Sequence, residues 1–290
     1  MKKYRYIFIL MVSAIIAGCT VTKEKEFGPV DESGYTLIQA DIESLLFGDD
    51  ERIWPEGAAI GVYGSEQGEN EPFVIKNAGV GLKEAGFYGP LVKGNLLAYF
   101  PFDQSYIGGA SAMPYTLEAE QIYQADPVGM FEKYTPMAFA NMEEGRLKFA
   151  YPNGLLKVTV ESQSAVTVKE IKIISSESKL AGLGVFYPDG SLGMTESAQN
   201  YVLLDCGDGV PAVAQDGSLN AFYLVIAPGT YDDLQLSVSL EGADTSFSCP
   251  ISEEVNIKKI SASDFSMVTV GFRPAGGPDG FVEEEVEFEE

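Results

Sequence analysis

The side chains that could do chemistry in this sequence are three cysteines and many carboxylates. The chain has 43 Asp and Glu residues and no histidine. Histidine is the commonest general base and the commonest zinc ligand, so its absence removes most hydrolytic and metal-assisted chemistry. Carboxylate pairs could still act as acid and base, but with so many of them close pairs arise by chance. The sequence has no nucleophile elbow, phosphate loop or dinucleotide fingerprint. We therefore expect a protein that is not an enzyme and that has no cofactor and no metal.

Cys19 follows a segment with the composition of an export signal. Residues 1–18 read MKKYRYIFILMVSAIIAG, in which three cations precede an apolar run and then small residues. The apolar run is shorter than the ~20 residues needed to cross a bilayer, and its order of residues is that of a secretory signal peptide. The tetrapeptide that ends at Cys19, IAGC, resembles the lipobox of bacterial lipoproteins. This resemblance implies a signal peptide over 1–18, a lipid on Cys19, and an anchor in the outer membrane at the cell surface. The alternative is an ordinary signal peptide that precedes a cysteine by chance.

The charge balance of the remaining chain excludes two classes of partner. Removing residues 1–18 takes away three of the 19 cations and no anion, which leaves a net charge of −27 on 272 residues. Nucleic acid and anionic lipid would both be repelled by such a surface. The hydrophobic content of 46% is high enough for packed cores. We expect a folded chain with an acidic surface and no nucleic-acid partner.

Two cysteines, Cys206 and Cys249, remain once Cys19 is assigned to lipid. An even number of cysteines in an exported protein permits a disulfide. Each also lies in or beside an apolar stretch, where a thiol behaves as a small buried apolar group. The sequence leaves both alternatives open.

The pattern beyond residue 34 is typical of β-strands. Residues 35–42, YTLIQADI, alternate so that Ile38, Ala40 and Ile42 share one face, and many similar short runs follow between Gly and Pro residues. The YPNG sequence predicts a tight turn at Asn153–Gly154 between two strands. Helical periodicity is scarce; residues 122–134 could form one turn, but we expect Pro127 and Gly129 to break it.

These observations predict an all-β protein with two domains. We expect a signal peptide over 1–18, a flexible tether over 19–34, an N-terminal sandwich over 35–150, a C-terminal sandwich over 151–272, and a hinge with an acidic tail over 273–290. The tail ends in FVEEEVEFEE, which is either a strand or a solvated acidic segment.

Several blocks, in this order, resemble the fimbrillin family of Bacteroidetes, whose members build protease-assembled pili. They are the lipobox at Cys19, RIWPEGAAIGVYGS (52–65), LLAYFPFDQSY (96–106), RLKFAYPNGLLKVTVES (146–162) and FYLVIAPGTYDDLQLSVSLEG (222–242). The sequence departs from the family at Ala58, where an acid is common, and at Ala150–Tyr151, near which a histidine is common. The resemblance implies two tandem transthyretin-like antiparallel β-sandwich domains.

The resemblance also implies how subunits join. In that family a trypsin-like protease cuts after an arginine that follows the first strand, the strand leaves, and a strand of another subunit replaces it. Here the removable strand would be 35–42, and Arg52 is the one Arg or Lys between it and the next strand. The donor could be the 281–290 tail. The implied function is a structural subunit of a surface fimbria that supports adhesion, with other fimbrial subunits as partners.

The runner-up is a surface glycan-binding lipoprotein. Sugars stack on exposed aromatic rings, and the only tryptophan, Trp54, together with the YFPFDQSY cluster at 99–106 could form such a platform.

Overall fold

The computed structural model describes residues 35–42, 53–66, 68–162, 165–243, 245–251, 255–257 and 268–272. Two predicted sites, lipidation at Cys19 and cleavage at Arg52, lie outside these residues. The same is true of the predicted tether over 19–34 and of the tail over 273–290. These features stay predictions.

The prediction of a mostly β protein is confirmed. The strands of the first half are β1 (Thr36–Ile42), β2 (Ala59–Gly64), β3 (Glu71–Ile75), β4 (Glu84–Gly89), β5 (Leu96–Phe100), β6 (Met113–Leu117), β7 (Glu120–Ile122), β8 (Ala138–Glu143) and β9 (Arg146–Ala150). Those of the second half are β10 (Gly154–Val160), β11 (Thr167–Ile174), β12 (Gly182–Phe186), β13 (Leu192–Met194), β14 (Tyr201–Pro211), β15 (Ala221–Ile226), β16 (Gly229–Tyr231), β17 (Gln235–Leu240), β18 (Phe247–Pro250), β19 (Val255–Ile257) and β20 (Val268–Phe272). A 3₁₀-helix spans Asn77–Gly79 and an α-helix, α1, spans Pro127–Tyr134.

Seven strands of the first half close into a barrel in the order β1-β4-β3-β2-β5-β8-β9. The ring is complete because β1 pairs antiparallel with β4 on one side and parallel with β9 on the other. Large side chains fill the interior, and the fully buried ones include Trp54, Phe73, Phe87 and Phe149. Aromatic residues of this size bury enough apolar surface to dominate the stability of the barrel.

The other described strands form smaller sheets. A five-stranded sheet has the order β18-β17-β11-β14-β7, two three-stranded sheets have the orders β15-β10-β20 and β13-β12-β6, and β16 pairs with β19. Two strands from the first half, β6 and β7, therefore pair with β12 and β14 of the second half. The arrangement as two tandem transthyretin-like sandwiches, with a boundary at 150/151, stays a prediction.

The side chain of Gln121 joins two of these sheets. Gln121 lies in β7. Its side-chain amide donates to the carbonyl oxygen of Val225 at 2.6 Å and accepts from the Val225 N–H at 2.9 Å. Gln121 is fully buried, so these bonds are shielded from water. The amide completes the hydrogen bonding of β15 as a neighbouring strand would.

The prediction that Pro127 and Gly129 break the helix is wrong. Pro127 is the first residue of α1, where a missing N–H costs no hydrogen bond and the fixed φ suits the helix. Asp126 caps the helix by accepting from the Gly129 N–H at 2.9 Å. Within the described part of the chain, no helix is long and apolar enough to cross a membrane.

The predicted turn at Asn153–Gly154 is also wrong. The strands on its two sides do not pair with each other: β9 pairs with β8 and β1, and β10 pairs with β15 and β20. Asn153 is buried and bonds to the Thr135 hydroxyl at 3.2 Å. The segment between β9 and β10 connects the barrel to another sheet and does not form a hairpin.

Candidate functional site

The position between β4 and β9, which we call the β1 site, is filled by the first described strand of the chain. Six residue pairs join β1 to β4 and four join it to β9. Both ladders connect β1 to strands that are not next to it in sequence. If β1 left, β4 and β9 would become two edges with unpaired backbone groups, and such edges readily accept another strand.

The inward face of β1 carries the three residues that the alternating pattern predicts. Ile38, Ala40 and Ile42 are 5%, 0% and 4% exposed, so the predicted face is confirmed. Each buried isoleucine contributes about 1.5–3 kcal/mol. These apolar contacts and the two ladders together hold β1 in the barrel.

The site is narrow at Ala40. This residue lies opposite Ala85 in β4 and Leu147 in β9, and both neighbours are buried. The backbone at Gly79 also approaches this point, since a Cβ placed on Gly79 would lie 2.5 Å from the Ala85 Cβ. The β1 site therefore accepts a small side chain at this position.

An ion-pair cluster lies on the outward face. The Arg146 guanidinium in β9 donates from Nη1 to Glu84 of β4 at 2.9 Å and to Asp41 of β1 at 3.3 Å. The hydrogen bond to Glu84, with Asp41 close by, raises the pKa of Arg146. Asp41 and Glu84 are direct cross-strand neighbours, and two like charges in that position repel each other. The Arg146 cation lies between them and relieves the repulsion.

Leu37 also contacts β4 on the outward face. A Cβ placed on Gly86 would lie 2.9 Å from the Leu37 Cδ1 atom, which shows how closely the two strands approach there. Leu37 is nevertheless 46% exposed. Because Gly86 has no side chain, the side chain of Leu37 can lie across β4.

Trp54, the centre of the glycan-binding alternative, is not available for stacking on a sugar. It is 0% exposed and packs edge to face on Phe87 at 4.8 Å and on Phe149 at 5.4 Å between ring centroids. In the neighbouring cluster Tyr99 is also fully buried, and its hydroxyl donates to the Asp103 carbonyl oxygen at 2.7 Å. Both rings are buried, so the aromatic platform predicted for the runner-up is wrong at Trp54 and Tyr99.

The disulfide considered between Cys206 and Cys249 is wrong for this fold. Both residues are buried, and the two are not joined. Cys206 lies in β14 and Cys249 in β18, with β11 and β17 between them. Three strand spacings amount to ~14 Å, whereas the Cα atoms of a disulfide are about 4.4–6.8 Å apart. Burial, with the nearby Asp205 and Glu170 carboxylates, raises the pKa of the Cys206 thiol to about 12.

Carboxylates with a lowered pKa belong to turns. The hydroxyl and backbone N–H of Ser191 lower the pKa of Asp189, and those of Ser218 do the same for Asp216. Both turns have the sequence Asp-Gly-Ser and are exposed. Among the described residues, no group of three or more His, Cys, Asp or Glu side chains could hold a metal ion.

Sequence reasoning identified β1 but missed the residues that contact it from β4 and β9. Arg146 stands in the RLKF block, and nothing local indicates that its partners are Asp41 and Glu84, more than sixty residues away. Asp41, the one charged residue of the alternating strand over 36–42, was the available signal.

No protein-family model matches the sequence, and no curated protein sequence matches it. The structure is similar to that of a candidate cell adhesion protein from Bacteroides ovatus, with a TM-score of 0.51, 12% identity, and coverage of 88% of this chain and 96% of that one. The chain therefore has the same fold, over nearly its whole length, as a candidate cell adhesion protein of Bacteroides, and the resemblance drawn from the sequence is confirmed as a shared fold.

Two fimbrial proteins also align with most of the chain. For a fimbrial protein from Bacteroides vulgatus the TM-score is 0.43, the identity 12%, and the coverage 86% of this chain and 99% of that one. For the tip fimbrial protein Mfa3 from Porphyromonas gingivalis the corresponding values are 0.40, 12%, 88% and 98%.

Proposed function

We propose that the protein is a structural, non-enzymatic subunit of a cell-surface fimbria, assembled by donor-strand exchange and supporting adhesion. The observation that carries this proposal is the placement of β1. It is the first described strand, it closes the barrel, and it pairs on both sides with strands distant in sequence. The fold shared with the Bacteroides ovatus protein supports the proposal.

In this proposal β1 is a temporary occupant of the β1 site. A trypsin-like protease cuts after Arg52, the segment before the cut leaves with its lipidated Cys19, and a strand of another fimbrial subunit enters between β4 and β9. The emptied site would expose two ladder edges and the apolar surface that Ile38 and Ile42 cover. This is β-strand addition, in which main-chain hydrogen bonds give affinity and side-chain pockets give specificity.

The experiment starts from the purified chain 19–290 with Cys19 replaced by serine, so that no thiol is exposed at the start. Brief treatment with a low dose of trypsin should produce one cut at Arg52 and then a ladder of multimers on an unboiled denaturing gel. Boiling should dissolve the ladder, because the joined strands are not covalently linked.

Two variants control this experiment. Arg52→Ala should stay uncut at this position and monomeric. Lys179→Ala removes an exposed cation from the β11–β12 connection and should form the ladder as the parent does. Multimers of Arg52→Ala after trypsin would exclude Arg52 as the cleavage site, and a clipped parent that stays monomeric at high concentration would exclude strand exchange.

A further inference from the structure

We infer that Arg146 selects the strand that enters the β1 site, and that this strand must carry an acid at the position of Asp41 beside a small residue at the position of Ala40. The occupant is an extended segment of a partner subunit with the pattern apolar–any–small–acid–apolar, running parallel to β9. This inference rests on the proposed strand exchange and adds the chemistry of the partner.

The requirement for an acid follows from the charges that remain when β1 leaves. Arg146 stays on β9 and Glu84 on β4, 2.9 Å apart, with the empty strand position between their backbones. An entering carboxylate at position 41 would regain the contact that Asp41 makes at 3.3 Å. A lysine at that position would face the guanidinium, and a neutral residue would leave this contact unmade.

The ion pair and the narrow position at Ala40 together set the register. A slip by one residue turns the apolar face outward, which burial forbids. A slip by two residues keeps the faces but moves every side chain by about 6.6–6.8 Å along the strand. In one direction the carboxylate moves away from Arg146 along β9. In the other direction it takes the position of Gln39, directly opposite Arg146, but the apolar residue of position 42 then takes the narrow position of Ala40.

The buried face of the β1 site excludes the tail of this chain as a good occupant. In every register that places a glutamate of 281–290 at the position of Asp41, another glutamate takes the position of Ile38, Ala40 or Ile42. That glutamate would point toward the interior, where an unpaired carboxylate is strongly disfavoured. We therefore infer that the entering strand comes from a different segment than 281–290.

The test uses the clipped chain after the protease has been inhibited. Fluorescein-labelled peptides of residues 35–42 compete for the β1 site, and bound label is measured by gel filtration. The parent peptide should bind about threefold better than its Asp41→Asn form, which is within the range measured for exposed ion pairs. Asp41→Lys and Ala40→Leu peptides and the 281–290 peptide should bind more weakly still.

Reversing the charge in the protein should reverse the preference. Clipped Arg146→Glu should bind the Asp41→Lys peptide better than the parent peptide. Lys169→Glu is the matched control, because it breaks an exposed ion pair with Glu241 at 3.5 Å that β1 does not contact. The clipped Lys169→Glu protein should bind the peptides in the same order of affinity as the clipped parent protein. If the peptides bind with no preference for the charge at position 41, this inference is wrong, while strand exchange is still supported.

The intact chain gives a second measurement that does not depend on exchange. Arg146→Glu and Asp41→Lys should each lower the midpoint of urea unfolding, and the two together should recover most of the loss. Additive losses would show that Arg146 does not choose the charge at position 41, which also overturns the inference. If no peptide enters although the two substitutions compensate each other, strand exchange itself is wrong and the proposed function falls.

Discussion

Replacing Ala40 by leucine should destabilise the barrel at the β1 site. Ala40 has no exposed surface, and its neighbours Ala85 and Leu147 are buried against it. The backbone at Gly79 lies against the Ala85 Cβ, so we expect three added carbon atoms to overpack this position. Overpacking of this kind costs about 1–3 kcal/mol. With an unfolding slope of about 3 kcal/mol per molar urea, a loss of about 2 kcal/mol lowers the midpoint by roughly 0.7 M.

The assay is intrinsic fluorescence during urea unfolding of the intact chain. Trp54 is the only tryptophan, and it packs on Phe87 of β4 and Phe149 of β9. Its emission therefore reports the barrel beside the β1 site. Gln39→Leu, which adds a leucine to the exposed face of the same strand, should change the free energy of unfolding by less than about 0.5 kcal/mol. An Ala40→Leu midpoint equal to that of the parent would refute the reasoning that the site is narrow.

Three further predictions concern the other sheets. Gln121→Leu should lower the free energy of unfolding by about 2–5 kcal/mol in urea, because it leaves the buried N–H and C=O groups of Val225 unpaired; a loss below about 1 kcal/mol would contradict this. Partial burial opposes ionisation of Asp233, but hydrogen bonds from Ser175, Ser176 and Glu177 lower its pKa overall. Its stabilising contribution is present above the unfolded pKa of about 3.9 and is lost as the pH falls through the lower folded value. Asp233→Asn should therefore weaken the fall of the free energy of unfolding at acid pH. A fall equal to that of the parent would exclude this role for Asp233. Finally, Cys206 should not react with a thiol reagent at pH 8 until the chain unfolds, because burial keeps the thiol protonated; rapid labelling of the native chain, measured by mass, would show that the site opens.

The sequence predicted what local patterns encode. The alternation in residues 35–42 identified β1 and the side chains that point inward, since the period of two is a property of the strand itself. The signal for α1 was also local, but it was misinterpreted: Asp126 followed by Pro127 is a helix start, because proline at the first position lacks only a bond that it would not make.

The sequence did not predict features that depend on distant pairing. The parallel contact of β1 with β9 joins residues about a hundred positions apart, and no turn signal records it. The turn rule failed at Asn153 for the same reason, because β10 pairs with β15 and β20 and not with β9. The ion pair of Arg146 with Asp41 exists only because those strands meet. Such contacts are decided by the whole fold and not by neighbouring residues.

The most direct test of the account is a cryo-electron microscopy map of multimers formed by the clipped chain. We expect density between β4 and β9 that continues into a neighbouring subunit, with residues 36–42 of the subunit's own chain gone from that position. Multimers in which each subunit keeps its own β1, joined through some other surface, would contradict the account.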